Sequence, residues 1–131
     1  MVDTQIVSYI FGERPEAESY APHLEGQTAA LSFQSLAELW FWPIKRKWGD
    51  VKKRRLDELF ERFVILNPDE QMVRTWAELR AQAEAVGMSK QIADLWIAAT
   101  AKRHSLPLLT NDRGFLTALD IDVVDVGTPK E

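Results

Sequence analysis

The chain has 131 residues, 46% apolar and 27% charged, with a net charge of −4, the composition of one ordinary globular domain spanning residues 1–131 and not of a disordered chain. No apolar run reaches membrane-spanning length, no basic and apolar leader opens the sequence, and no cysteine offers a disulfide or a thiolate metal site. The expected setting is therefore cytoplasmic, with no membrane, and the acidic balance excludes a protein that grips nucleic acid by bulk positive potential.

In chain order, a short strand is expected from the start to Thr4, then a first helix carrying Ile6, Val7, Ile10 and Phe11. Pro15 opens a second helix, because proline is tolerated at a first helical position. A strand follows at Thr28–Leu31. A third helix runs from Ser35 to Trp48, with Pro43 expected to kink or break it. Asp50 caps a fourth helix carrying Val51, Leu56, Leu59 and Phe60, and Phe63–Leu66 is a strand. A fifth helix extends from about Asp69 to Val86, stopped by Gly87, where left-handed backbone is cheap. A sixth runs from about Ser89 to His104, and strands at Leu106–Thr110 and Val123–Val126 close the chain. Repeats and linkers are absent. Strands alternating with helices give an α/β class, a three-layer α/β/α arrangement around a central parallel sheet.

Four acids sit at the ends of four apolar segments: Asp3, Glu38, Asp94 and Asp112. Taken singly, each has an ordinary reading. Ser35-Leu36-Ala37-Glu38 is a capping box in which Glu38 closes on the amide of Ser35, Asn111-Asp112 is turn chemistry, and Asp3 near a terminus carries no signal. Asp94 is the exception, because Asp94-Leu95-Trp96-Ile97-Ala98-Ala99-Thr100-Ala101 is apolar nearly all round and so reads as buried. In an open parallel sheet the loops at the carboxyl ends of the strands form the ligand crevice, and all four acids can face it. Like charges about 4 Å apart repel by roughly 4 kcal/mol at an effective dielectric near 20, so such a cluster calls for a cation. All-oxygen ligands point to Mg²⁺ or Mn²⁺ and to activation of water against a phosphodiester. Thr4 and Thr110 neighbour acids and are expected to orient them.

These residues carry a resemblance. Val2-Asp3-Thr4, Leu36-Ala37-Glu38-Leu39, the Asp94 segment and Leu106-Pro107-Leu108-Leu109-Thr110-Asn111-Asp112-Arg113-Gly114-Phe115 together resemble a PIN domain, and within that family the VapC toxins of bacterial toxin–antitoxin pairs. The resemblance implies an endoribonuclease dependent on Mg²⁺ or Mn²⁺, with Asp3, Glu38, Asp94 and Asp112 as catalytic metal ligands. It also implies an RNA substrate, a homodimer and a VapB-like antitoxin that holds the toxin inactive. Two departures stand out: Gln5 where relatives usually have Asn or Ser behind the first carboxylate, and Gly114 where many have Asp. The longer amide of Gln5 bears on how Asp3 is held, and keeps open a PIN-like module that binds RNA or a partner without cutting it. A HAD-like phosphatase would need a second Asp where Gln5 stands.

Two features have competing readings. Lys45, Arg46, Lys47, Lys52, Lys53, Arg54 and Arg55 fall within eleven residues, either a solvated helix face or a local basic patch. Leu36, Leu39, Trp40, Phe41, Trp42 and Ile44 place apolar groups on more than one side of the third helix. They read either as a homodimer or antitoxin surface, or as a helix covered by the fourth.

Overall fold

The computed structural model describes residues 1–87, 92–110 and 121–124, except the side chains of residues 92–94. Helix α1 spans Thr4–Phe11 and is followed by a 3₁₀ turn at Pro15–Ser19 and a short helix α2 at Ala21–Leu24. Strand β1 is Ala29–Ser32, α3 Phe33–Lys45, α4 Asp50–Phe60, β2 Phe63–Leu66 and α5 Glu70–Ala85. Helix α6 is Ile92–Arg103, β3 Leu108–Leu109 and β4 Val123–Val124.

The strands pair in parallel, β1 with β2 and β3 with β4. Residues Met1–Asp3 join the two pairs. Val2 forms a parallel bridge with Leu109, its amide donates to the Ala30 carbonyl (2.9 Å), and the Asp3 amide donates to Leu109 (3.0 Å). The order across the sheet is therefore β2, β1, the Val2 segment, β3, β4. The first strand is short, as expected, though it stops before Thr4, which opens α1, and it is central. From it the chain first builds outward on the β1 side and later returns on the β3 side. The reversal falls between Asp3 and Thr110, where an open α/β sheet places its ligand crevice.

Alternating side chains point to opposite faces of a strand, and this chain uses both. Leu108 joins a core formed by Met72, Leu79 and Ala83 of α5 with Leu95, Ile97 and Ala98 of α6. Its neighbour Leu109 and Val2 join a second core with Ile6 and Val7 of α1, Leu39 of α3, and Leu56 and Phe60 of α4. Helices on both faces bury both sides of the sheet, as parallel strands require, giving the three-layer α/β/α arrangement.

Several boundaries differ from expectation. Helix α3 begins at Phe33, not Ser35, because the Ser32 hydroxyl accepts the Ser35 amide (3.1 Å) and caps it. It then runs through Pro43 and ends where Lys47 turns to φ +54°. Gly49, not Asp50, is the N-cap of α4, and no side chain caps that helix. Asp69 caps α5, accepting the Met72 amide at 2.7 Å, and Gly87 takes the expected left-handed conformation at φ +77°.

Candidate active site

Asp3 is where the central strand becomes a helix. Val2 is 2% exposed and pinned between β1 and β3, so the side chain one residue on emerges at the carboxyl edge of the sheet. Asp3 has extended backbone (φ −72°, ψ 155°) and is the N-cap of α1, a position that favours Asp because its oxygens meet unsatisfied amides. Oδ1 accepts the Thr4 amide and Oδ2 accepts the Thr110 hydroxyl, each at 2.7 Å. Thr110 is fully buried and follows β3, so this bond crosses the reversal point of the sheet. Two directed bonds, one to each oxygen, fix the carboxylate's rotation.

Thr4 engages Asp3 through its amide, and its side chain does something further. Its hydroxyl donates to Ser35 Oγ of α3 (2.7 Å), and Ser32 Oγ donates to the same oxygen (3.3 Å). All three hydroxyl residues are buried, where an unbonded hydroxyl would cost about 1–3 kcal/mol. The chain of bonds ties the start of α1 to the start of α3. Glu38 lies three residues beyond Ser35, on the same helix face. It is half-buried, and its Oε1 accepts from Gln34 Nε2 at 3.2 Å. The capping box expected at Ser35–Glu38 does not form: Ser32 is the cap, and Glu38 bonds Gln34 instead. Ser32, Ser35 and Gln34 were not expected in the site; the serine spacing Ser32-x-x-Ser35 was the available signal.

Gln5 also departs from expectation. It is exposed, and no hydrogen bond joins it to Asp3 among the described residues. Two positions on from Asp3 and in the first turn of α1, Gln5 lines a cleft alongside that helix.

Asp94 is the third residue of α6; its side chain lies outside the described residues. The helix itself is well anchored. Trp96 meets Phe33, the first residue of α3, edge-on at 5.5 Å and stacks on Trp76 of α5 at 5.1 Å, which sets the helix carrying Asp94 against the start of the helix carrying Glu38. Asp112, like Gly114, lies outside the described residues, two positions past Thr110. Among the described residues no group of three or more His, Cys, Asp or Glu gathers as a metal site, and two of the four acids are outside that set. The described acids, Asp3 and Glu38, offer oxygen donors, the type a hard cation takes, and directed hydrogen bonds hold the Asp3 carboxylate.

The apolar side chains of α3 divide. Trp40 packs edge-on against Phe60 of α4 at 5.3 Å, and Trp42 is half-buried against the same core. Phe41 and Ile44 remain 54% and 72% exposed.

A PIN domain family model matches residues 1–119. The chain is 38% identical over 132 residues to the toxin FitB of Neisseria gonorrhoeae, covering 94% of each. It is 29% identical over 128 residues to the ribonuclease VapC4 of Mycobacterium tuberculosis, covering 96% of this chain and 95% of that one. The fold superposes with a TM-score of 0.84 on a chain in the structure of VapBC2 from Rickettsia felis bound to a promoter DNA fragment, at 25% identity, over 95% of this chain and 96% of the other.

Proposed function

The chain belongs to the PIN-domain family, and on that premise we propose that it is the ribonuclease toxin of a VapC-type toxin–antitoxin pair, cleaving RNA with Mg²⁺ or Mn²⁺ at a site built from Asp3, Glu38, Asp94 and Asp112. The observation that carries the reading is Asp3: an acid at the reversal point of a parallel sheet, each oxygen engaged by a donor from a different part of the chain. A divalent cation held by these acids supplies Lewis-acid activation of water and neutralises charge on the phosphodiester.

The residues of the chain prepare that chemistry. Thr110 and the Thr4 amide hold the Asp3 carboxylate in one orientation before substrate arrives, so little orientational freedom is lost in the transition state. The Thr4–Ser35 bond sets α1 and α3 in register and with them Asp3 and Glu38. Gln34 engages one oxygen of Glu38; the other can take a metal or the proton of the attacking water. No side chain here forms a covalent intermediate in this scheme.

The relatives support a VapB-like antitoxin as partner, and exposed Phe41 and Ile44 offer apolar surface for it or for a homodimer. No helix among the described residues is long and apolar enough to cross a membrane, in keeping with the proposed cytoplasmic role. The test is cleavage of single-stranded RNA by purified protein in Mn²⁺. Wild-type protein should cut, EDTA should stop it, and folded Asp94→Asn protein should be inert. Cleavage that persists in Asp94→Asn would refute the site.

A further inference from the structure

An RNA-cutting site made of four acids in a chain of net charge −4 repels its own substrate. Cations must lie along the path of the strand for it to bind at all. A cleft of about 440 Å³ opens beside Gln5 and runs along α1 to Phe11, walled by the end of α3 and the start of α4. From Gln5 to Phe11 is six helical steps, about 9 Å at 1.5 Å each, so the cleft leads directly away from the Asp3 end of α1.

Its walls are cationic and aromatic. Phe11 and Trp48 stack with centroids 5.3 Å apart and planes 15° from parallel. Lys52 Nζ sits over the Trp48 ring at 4.1 Å, and the Arg55 guanidinium over Phe11 at 5.3 Å. The Arg46 guanidinium lies over Trp42 at 5.8 Å. The rings restrain these side chains without neutralising them. Elsewhere basic groups pair with acids, as Arg74 does with Glu70 and Arg80 with Glu84. No ion pair engages Arg46, Lys52 or Arg55 among the described residues. Arg14 lines the cleft but is occupied by Glu16, and Glu13 is the acid in the lining.

Resting on the ribonuclease reading, we infer that this cleft is the track for the RNA strand flanking the scissile bond, with Arg46, Lys52 and Arg55 contacting its phosphates. Restrained cations lose less side-chain freedom when a phosphate arrives, and Arg presents a planar fork that matches phosphate oxygens. With both rings of the Phe11–Trp48 pair already carrying cations, the cleft reads the backbone and not the bases. The basic segment Lys45–Arg55 thereby acquires a role beyond a solvated face.

The test is binding of fluorescein-labelled single-stranded RNA to the full chain in EDTA, across a salt series. Each phosphate contact on a single strand contributes about −0.7 to the slope of log K against log salt. Replacing Arg46, Lys52 and Arg55 together with Gln should therefore flatten the slope by about 2, while Arg55→Lys alone should retain it. With Mn²⁺ restored, the triple variant should show a KM raised at least about tenfold, kcat being kept at saturating RNA. An unchanged slope and KM would overturn the inference. Intact RNA binding with lost affinity for a co-expressed antitoxin would also overturn it and assign the cleft to that protein. Failure of the nuclease reading looks different: wild-type protein would not cleave, whatever the salt slopes.

Discussion

Thr110→Val probes the bond on which the site turns. The substitution exchanges a fully buried hydroxyl for a methyl group of similar size, so packing is nearly kept and the 2.7 Å bond to Asp3 Oδ2 is lost. Hydrogen bonds to charged groups contribute about 1.5–3 kcal/mol. The added buried methyl recovers up to about 0.8 kcal/mol, leaving a net loss near 1–2 kcal/mol. For a domain of this size that lowers Tm by roughly 3–10 °C. The larger effect should be on the metal. Removing a group that orients a ligand typically costs about 10–100-fold in affinity or activity, so the Mn²⁺ concentration giving half the maximal thermal shift should rise by that factor. Thr110→Ser, which keeps the hydroxyl, should restore most of it. The decisive assay is a Mn²⁺ titration followed by differential scanning fluorimetry, with RNA cleavage in parallel. A Thr110→Val protein that loses stability but binds Mn²⁺ and cleaves RNA like wild type would refute the orienting role and leave Thr110 as a purely structural residue.

Glu38→Gln should abolish RNA cleavage without lowering the urea midpoint measurably, because Ser32 and not Glu38 caps α3; a clear loss of stability would revive the capping box. Ser32→Ala should cost about 1–2 kcal/mol in urea unfolding, since it removes an N-cap and a buried hydroxyl contact; a cost near zero would show that the Ser35 amide finds another acceptor. Arg103 and the Met72 amide hold the Asp69 carboxyl below its ordinary value of 3.8. That stabilisation is complete above this value and is lost as the pH falls through the lowered one. Urea midpoints of wild type and Asp69→Asn should therefore differ near neutrality and converge in acid, and a constant gap would refute the linkage.

Most of the architecture was legible because periodicity and punctuation agree at Asp69, Gly87 and the run after Asp94. The errors came where a short polar residue could serve two frames. Ser32 and Ser35 both suit a cap, and the choice between them depends on where β1 stops, which is set by its pairing with β2. Pro43 was expected to interrupt α3, yet its surroundings hold the helix together around it: the residue is buried, and Trp48 donates to its carbonyl. The four candidate acids stand out in the sequence as charges at the ends of apolar runs. Thr4 and Thr110 were legible as their neighbours, but the pairing of Thr110 with Asp3 was not, because the two meet only through sheet order, 107 residues apart in sequence. Gln5 lies two positions past Asp3 in sequence, and its exposed side chain lines the cleft along α1.

That separation also governs when the protein becomes dangerous. The Val2 strand is paired on one side by β1, but its other neighbour and the hydroxyl on Asp3 come from Leu109 and Thr110. A chain emerging from a ribosome can close α1, β1 and α3 early, since those contacts are local, but it cannot complete the sheet until almost all of it has been made. Long-range closure of this kind is late and slow. An unfinished or C-terminally truncated chain would therefore lack both the central pairing to Leu109 and the hydroxyl that holds the Asp3 carboxylate.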